Sequence, residues 1–366
     1  MTGSEAVEVP VFYSDALVWD YHACLPLEPD SPFIEELVRY RRAGVNVLTI
    51  NIGDTHFLFK TQVAAARHFR RWIGAHEGYR VISTAADIEE AHRAGDLAVC
   101  FDVEGVAAVE GDLGRVAALH ALGVRWMLLV YNKRNLAGYG CHDDEDLGLT
   151  DFGRRLIAEM DRVGIIKDCS HTGYRTACDV LEASPLPVTF SHSNARALRD
   201  HPRNIPDDLM RACAATGGVV GINGVGIFLG DNEATAEAML RHIDHAVQLI
   251  GPEHVGIGTD YVFDPAGMDA ILASAPSTWP ASFGYRPGIR FVPPEAFPEL
   301  AGGLVKLGYS ETDVRGILGL NFLRVAKAVW KQEAAPPCDQ FTSHVFQNDA
   351  TSRSQVSVSG TSSPDA

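Results

Sequence analysis

GIIKDCSHTGYRTACDVLEASPLPVTFSHSN, residues 164–194, contains two apolar, β-branched runs that each end in Ser-His. The runs extend from Ile165 to His171 and from Pro187 to His192, and both have the composition of buried strands. In a parallel α/β barrel, the carboxyl ends of the strands meet at one mouth, where the reactive groups lie. We therefore expect His171 and His192 to point into the same mouth.

The same arrangement recurs along the chain, since other strand-like runs end at His22, Glu104 and Asp260. These runs alternate with longer segments of helical period, which is typical of repeated βα units. The eight predicted strands span residues 17–22, 45–52, 97–104, 124–131, 165–171, 187–192, 218–223 and 255–260. Eight is the strand count of a closed (β/α)8 TIM-like barrel, here of the metal-dependent hydrolase type.

Amphipathic segments between the strands predict the helices that surround such a barrel. They include residues 31–43, 88–94, 113–122, 150–163 and 233–250. Ser31 with Gly44 and Thr150 with Gly164 have the residue types of helix starts and stops. The segment 264–298 is rich in Pro, Gly and aromatic residues, and it predicts a long loop that covers the mouth. We interpret residues 1–333 as a single barrel domain and the Ser/Thr-rich residues 334–366 as a disordered tail.

Composition excludes several classes of protein. With 366 residues, 46% of them hydrophobic, the chain can bury a large core. A net charge of −16 argues against a nucleic-acid partner, because phosphate binding requires a basic surface. The start of the chain has no basic segment followed by an apolar one, and no apolar run reaches the roughly 18 residues that span a bilayer. These features, and seven cysteines without scaffold-like spacing, predict a cytoplasmic protein with reduced thiols and no membrane partner.

The residue types at the strand ends are those that bind divalent metals. Zinc prefers histidine nitrogens and carboxylate oxygens. His171 and His192 would share one ion, while Glu104 would bridge to a second ion held by His22. Two ions about 3.5 to 4 Å apart can share a hydroxide and polarise a carbonyl together. Asp260, at the end of the last predicted strand, would accept and later donate the proton.

Several motifs, in this order, resemble the membrane (renal) dipeptidase family of zinc metallopeptidases. They include DYHACLP (20–26), FDVEGV (101–106), the paired Ser-His elements, RNIPDD (203–208) and VGIGTDY (255–261). The resemblance extends from about Leu17 to Val325, and it implies an α/β barrel with a binuclear zinc centre that hydrolyses dipeptides. It is also compatible with a homodimer.

The resemblance also implies roles for individual residues. His22 matches the histidine ligand of the first strand, Glu104 the bridging glutamate, and His171 and His192 the ligands of the other metal. Asp260 matches the acid/base aspartate. Arg203 matches the arginine that grips the substrate carboxylate, a role that a guanidinium fork suits. An ion pair at the surface with Asp207 or Asp208 is the alternative for Arg203.

The chain departs from the family pattern at three places in the site. Cys24 replaces the aspartate of a His-x-Asp motif, and its thiol is either a metal ligand or an inert buried group. Tyr131 replaces a histidine that steadies the tetrahedral intermediate, although a phenol can still bind substrate and donate to an oxyanion. After Asp260, the motif continues as Tyr261-Val262-Phe263 and lacks a second aspartate.

Three hypotheses for the function follow. The first is a zinc hydrolase that cleaves a dipeptide or a small amide bearing a carboxylate by attack of metal-bound hydroxide. It would hold one or two zinc ions, and the arrangement with two is favoured. The second is a specialised biosynthetic paralogue that performs tautomerisation, isomerisation or amide cleavage on a tailored metabolite. The third is a metal-poor binding protein without catalysis.

Overall fold

A parallel β-sheet that curls into a barrel forms the centre of the protein, in a computed structural model that describes residues 8–28 and 31–331. The predicted tail, residues 334–366, lies outside the described residues. The described strands are β1 (Trp19–Cys24), β2 (Val47–Asn51), β3 (Tyr79–Val81), β4 (Leu97–Glu104), β5 (Val124–Leu128), β6 (Ile166–Asp168), β7 (Val188–Phe190), β8 (Val219–Ile222), β9 (Val255–Ile257) and β10 (Tyr261–Val262).

The sheet returns upon itself through its last two strands. Its order is β10-β1-β2-β4-β5-β6-β7-β8-β9, and all of these pairs are parallel. β9 pairs with β8 and the closely following β10 pairs with β1, so the two short strands together fill the eighth position of the ring. The fold is therefore a TIM-like (β/α)8 barrel, as predicted. The sequence prediction missed β10 and also β3, which pairs with the start of β4.

Helices follow the strands around the barrel. They are α1 (Leu37–Arg42), α2 (Phe59–Ala75), α3 (Ala85–Ala94), α4 (Gly114–Leu122), α5 (Asp151–Val163), α6 (Tyr174–Ala183), α7 (Asp207–Ala215), α8 (Gly226–Leu229), α9 (Ala236–Ile250), α10 (Pro265–Ser274), α11 (Phe297–Lys306), α12 (Glu311–Arg315) and α13 (Asn321–Val329). None of the helices in the described ranges has the length and apolar character needed to cross a membrane.

Helix α5 shows why the start and stop signals succeeded. The Thr150 hydroxyl accepts a hydrogen bond from the Gly153 backbone N–H, and Gly164 ends the helix at φ 96°, a conformation that glycine adopts without a steric penalty. At Ser31, the same reasoning was only partly right. The segment begins as a 3-10 turn over Pro32–Glu36, without a bond to the Ser31 side chain, and becomes α-helical at Leu37.

The prediction of an irregular loop over 264–298 is wrong in part. Asp264 caps helix α10 by accepting a hydrogen bond from the Gly267 N–H, and Pro265 occupies the first turn, where its missing N–H costs nothing. Short 3-10 turns follow at Ala281–Phe283 and Pro294–Ala296. The segment still covers the mouth, because Met268 and Trp279 line the cavity there.

Candidate metal centre

The predicted site residues lie at one end of the barrel, but most of them lie beyond the strands rather than in them. Only three of them belong to strands, His22 and Cys24 to β1 and Glu104 to β4. β6 ends at Asp168 and β7 at Phe190, so His171 and His192 lie in the loops that follow. Tyr131 and Asp260 likewise lie beyond β5 and β9. The predicted ends of these four strands are therefore two to three residues too late, because the strand stops before the functional side chain, whereas the predicted end of β4 at Glu104 is confirmed.

Three imidazoles converge on one carboxylate oxygen. Glu104 Oε1 lies 3.5 Å from His22 Nε2, 3.4 Å from His171 Nε2 and 3.3 Å from His192 Nε2. The Nε2 atoms of His171 and His192 are 2.9 Å apart. All four side chains are buried. The structure thus brings together four residues that are far apart in the sequence.

The opposite nitrogen of each ring is held by a neighbouring side chain. His22 Nδ1 lies 3.1 Å from Asp102 Oδ2, and His171 Nδ1 lies 2.7 Å from Asn132 Oδ1. His192 Nδ1 lies 2.7 Å from Ser191 Oγ. Because carboxylate and amide oxygens only accept, His22 and His171 carry a proton on Nδ1, and Nε2 is the nitrogen that faces Glu104. Such outer hydrogen bonds fix the tautomer of histidines that ligate metals.

This donor set fits a divalent cation. Glu104 Oε1 is buried and has no hydrogen-bond partner within the part of the chain that the structure describes. A buried carboxylate oxygen without a partner is costly, whereas a metal ion would satisfy it. Two groups of three residues lie close enough together to hold an ion, namely Glu104 with His171 and His192, and His22 with His192 and Asp260. Nitrogen and oxygen donors in this number suit zinc.

The electrostatics of the cluster also call for positive charge. Burial raises the pKa of the Glu104 carboxyl well above its usual value and lowers the pKa values of His171 and His192 well below theirs. Burial is also the largest single influence on His22 and lowers its pKa, but Asp102, Cys24 and Glu104 together outweigh it, and the pKa of His22 is raised well above its usual value. Two buried carboxyl groups thus need a compensating charge, which a proton on His22 or a bound cation supplies.

Strained backbone marks the same place. Asn132, His171 and Asp260 have φ values of 55°, 61° and 56°. The left-handed region costs of order 1 kcal/mol or more for residues with a side chain, and such strain concentrates at functional sites. Each of these three turns aims a side chain back across the mouth of the barrel.

Cys24 and Asp260 complete one side of the cluster. Cys24 Sγ lies 3.5 Å from His22 Nε2 and 3.7 Å from Asp260 Oδ1, and Asp260 Oδ1 lies 3.5 Å from His22 Nε2. The other oxygen of Asp260 accepts a hydrogen bond of 2.9 Å from Asn223 Nδ2. Burial raises the pKa of the Cys24 thiol, so the thiol stays protonated unless a cation binds beside it.

Tyr131 faces the cluster from the loop after β5. Its ring stacks on His171 with centroids 4.2 Å apart, and its hydroxyl accepts a hydrogen bond of 3.3 Å from Trp279 Nε1. Burial raises the pKa of this phenol well above its usual value. The hydroxyl therefore keeps its proton and can donate it to an oxygen in the cavity.

Arg203 is buried, which overturns the alternative of an ion pair at the surface. Its side chain is 1% exposed, while Asp207 is bound by His245 and Asp208 by Tyr174. Arg203 Nη2 donates to the His192 carbonyl at 3.0 Å, but Nε and Nη1 have no partner within the described residues. A buried guanidinium with two free donors is suited to receive a carboxylate.

A cavity of about 300 Å³ opens directly over the cluster. Cys24, Glu104, Tyr131, His171 and Asp260 all form part of its wall. A substrate in this space would therefore touch five of the residues that the sequence singled out, whereas His22, His192 and Arg203 do not line this cavity.

Sequence reasoning missed the side chains that position the ligands. They are Asp102, Asn132, Ser191 and Asn223. Asp102 had a detectable signal, because it lies two residues before Glu104 in a strand and so faces the same side of the sheet. Asn132 had none, since its role depends on a left-handed turn beyond the strand.

Comparison with known proteins identifies the relatives of this chain. The family model of membrane dipeptidases, peptidase family M19, matches residues 40–273. Dipeptidase verJ from Clonostachys rogersoniana is 32% identical over 248 residues, which are 67% of this chain and 59% of that protein. An uncharacterized dipeptidase, C965.12, from Schizosaccharomyces pombe is 32% identical over 241 residues, 64% of this chain and 53% of that protein. The chain thus matches little more than half the length of these curated relatives.

Solved structures show the same architecture. An amidohydrolase from Pseudomonas aeruginosa is 27% identical with a TM-score of 0.76, over 87% of this chain and 98% of that chain. A metallo peptidase from Rhodobacter sphaeroides, solved with a phosphinate mimic of the dipeptide L-Ala-D-Ala, is 24% identical with a TM-score of 0.71, over 86% of this chain and 99% of that chain. The match of the family model over most of the barrel, with the shared fold, shows that the chain belongs to the membrane dipeptidase family, peptidase family M19.

Proposed function

We propose that this protein is a zinc-dependent hydrolase that cleaves a dipeptide or a similar small amide with a free carboxylate. The observation that carries the proposal is the convergence of three histidine Nε2 atoms on the unpartnered oxygen of Glu104, directly beneath a cavity. Membership of a metallopeptidase family and two relatives named dipeptidases support it.

Two ion positions follow from the donor atoms. Glu104, His171 and His192 form the first position. His22 and Cys24 form the second, and Glu104 lies within reach of both. When bound, zinc polarises a substrate carbonyl and lowers the pKa of water. The binuclear arrangement is the favoured one, because three imidazoles, a carboxylate and a thiol are more donors than one tetrahedral zinc requires.

Asp260 is the proposed proton acceptor and donor. Asn223 holds one of its oxygens, while the other faces His22 and Cys24 at the floor of the cavity. A carboxylate fixed in this way can take a proton from an attacking water and return it to the leaving amine. Tyr131, whose phenol stays neutral, donates a hydrogen bond to the oxygen on which negative charge develops.

Arg203 is the proposed anchor for the carboxylate of the substrate. Two of its nitrogens, Nε and Nη1, are free to donate charge-assisted hydrogen bonds to carboxylate oxygens. The main chain at His192 holds the third nitrogen, so that the guanidinium is already oriented. Pre-oriented donors reduce the entropy lost on binding.

A specialised biosynthetic paralogue is the second candidate. The presence of Cys24 and Tyr131, where the family pattern has an aspartate and a histidine, favours it. A tautomerisation or isomerisation would use the same acid/base group, Asp260, without net hydrolysis. A cytoplasmic location, a homodimer and the absence of nucleic-acid and membrane partners stay predictions from the sequence.

The test combines metal analysis with a substrate screen. Protein loaded with zinc should hold up to two ions per chain and cleave members of a panel of L,L- and L,D-dipeptides. Glu104→Gln should lose bound metal and at least about 100-fold in kcat/KM, since even outer-shell changes cost 10- to 100-fold. Glu90→Gln, on the exposed face of α3, is the matched control. A metal-loaded protein that cleaves no dipeptide but isomerises a small amide would favour the biosynthetic paralogue. A protein that binds no stoichiometric metal would refute both the hydrolase and the paralogue.

A further inference from the structure

The cavity over the metal centre has an apolar wall opposite the ligands. The wall consists mainly of large apolar and aromatic side chains, among them Phe57, Phe228, Met268, Trp279, Tyr285 and Phe291. Most of these come from the segment 264–291, which includes helix α10. An apolar surface of this size at a ligand site favours a ligand with a matching apolar group.

Hydrogen bonds and ring stacking hold this wall in place. Trp279 Nε1 donates to Tyr131, and the His56 ring stacks on Trp279 with centroids 5.0 Å apart. Further along the segment, the Asn232 side chain bonds both the Gly288 carbonyl and the Arg290 N–H, at 3.0 and 2.9 Å. The apolar wall is thus a shaped surface before any ligand arrives, which lowers the cost of binding.

The charged groups of the cavity are all acidic. Glu28, Asp54, Glu104, Asp260 and Asp264 line it, and no lysine or arginine does among the described residues. Asp54 is held beside the mouth through bonds of 2.8 and 2.9 Å to the backbone N–H and the ring of His56. Bound cations would offset the charges of Glu104 and Asp260, whereas Glu28, Asp54 and Asp264 are not among the proposed ligands and would still favour an ammonium group over a carboxylate.

The arginine that would bind the substrate carboxylate does not line this cavity, although its guanidinium packs over the ring of Phe228, 5.4 Å from the ring centroid. Arg203 lines a second, more polar cavity of about 220 Å³, together with Arg196. His171 belongs to the walls of both cavities. A substrate whose carboxylate reaches Arg203 therefore places its opposite end, the amino end, in the apolar and acidic cavity.

We infer that the preferred substrate is a dipeptide or amide whose amino-terminal residue carries a bulky apolar side chain and a free ammonium group. This inference rests on the proposed function. The apolar wall takes the side chain, the acidic groups at the mouth take the ammonium, and a smaller residue follows on the Arg203 side. The order of residues in the substrate is therefore as important as its composition.

The test compares three dipeptides on the zinc-loaded protein: Phe-Ala, Ala-Phe and Ala-Ala. Filling the apolar wall should raise kcat/KM for Phe-Ala by about tenfold or more over the other two. Phe291→Ala, which removes one aromatic ring from the wall, should reduce the ratio of kcat/KM for Phe-Ala to kcat/KM for Ala-Ala by on the order of tenfold. Leu307→Ala, at an exposed position after α11, is the matched control.

The possible outcomes separate this inference from the proposed function. Turnover of Ala-Ala or Ala-Phe as fast as that of Phe-Ala would overturn the inference and leave the hydrolase intact. If no dipeptide is cleaved, the proposed function fails, and equilibrium dialysis then tests the inference directly. The inference is supported if the protein binds Phe-Ala more tightly than Ala-Phe and Ala-Ala and if Phe291→Ala weakens the binding of Phe-Ala. Equal binding of the three dipeptides, or no binding, would overturn the inference.

Discussion

The thiol of Cys24 reaches the same point as the His22 imidazole, since Sγ and Nε2 are 3.5 Å apart. A thiolate is a strong zinc ligand, and a cation beside it would lower the thiol pKa that burial now raises. We expect Co²⁺-loaded protein to show a thiolate-to-metal charge-transfer band, and Cys24→Ser to abolish it and reduce the metal content towards one ion per chain. Cys141→Ser is the control, because Cys141 is similarly half-buried but contacts Asn132 instead.

A different result would identify Cys24 as an inert group. In that case the wild-type protein shows no such band, and Cys24→Asp raises both the metal content and dipeptidase activity by restoring a carboxylate ligand. If Cys24 is a working ligand, Cys24→Asp lowers activity.

The candidate ligands could be selected from the sequence because few residue types bind metals, and these residues occur where apolar runs end. His22, Glu104, His171 and His192 were all found in this way, and the structure brings them together. The burial of Arg203 could not be predicted from the acidic residues next to it. Its partner is the carbonyl of His192, and that contact exists only in the folded chain.

The carboxylate of Asp20 in β1 joins the two ends of the sheet. It accepts hydrogen bonds from the Thr259 N–H at 2.8 Å and the Thr259 hydroxyl at 2.5 Å, in the turn between β9 and β10. Asp20→Ala leaves the buried N–H without a partner, so we expect the free energy of unfolding to fall by about 3 kcal/mol. Asp20→Asn keeps one acceptor and should cost less. Chemical denaturation measures the free energy of unfolding of the two variants. Equal stability of Asp20→Ala and wild type would show that this contact does not hold the sheet closed.

A buried histidine of α9 predicts a loss of stability in acid. His242 Nδ1 accepts from the Ala195 N–H at 3.2 Å and Nε2 donates to the Leu229 carbonyl, so the ring is neutral when folded. Burial lowers the pKa of His242 from 6.5 to about 4. The unfolded chain therefore binds the proton more tightly than the folded chain. The contribution of His242 to the free energy of unfolding is fully present above pH 6.5 and is lost as the pH falls towards 4.

The effect can be isolated with a side chain that does not titrate. The pKa shift of His242 corresponds to a loss of up to about 3 kcal/mol. In His242→Gln, the fall in unfolding free energy between pH 7 and pH 4 should be smaller by up to that amount. His245→Gln, at a partly exposed position of the same helix, should leave the fall unchanged. An identical pH dependence in wild type and His242→Gln would contradict the assignment.

Elements with local signals were predicted well, and those that depend on distant partners were not. Thr150 and Gly164 bound α5 through contacts within a few residues. The short strand β10 has only two residues, Tyr261 and Val262, and exists because β1 offers it a partner. Helix α10 was missed because a Pro- and Gly-rich composition masked the cap at Asp264.

The barrel as a whole brings the ligands together, and the ions in turn should stabilise the barrel. β1, β4 and the loops after β6 and β7 each supply a candidate ligand, so the proposed ions would join strands that are not neighbours in the ring. A ligand at 100 times its Kd adds about 2.7 kcal/mol. Removal of metal with EDTA should therefore lower Tm by about 3 °C or more, because a chain of this size has an unfolding entropy of roughly 0.8 kcal/mol per degree. Glu104→Gln should lose this response, and an unchanged Tm in the wild type after verified metal loss would contradict the link.

The closed architecture was predictable because the number of apolar runs matched a complete ring. The sequence could not reveal that two strands, β9 and β10, share the eighth position. Nor could it show two cavities on either side of His171, because their walls come from loops that carry no repeating pattern.

Anomalous scattering from a crystal of zinc-treated protein, measured on both sides of the zinc absorption edge, tests the metal centre most directly. We predict strong peaks between Glu104 and the Nε2 atoms of His22, His171 and His192. The absence of density there, in crystals whose protein binds zinc only elsewhere or not at all, would contradict the proposed metal centre.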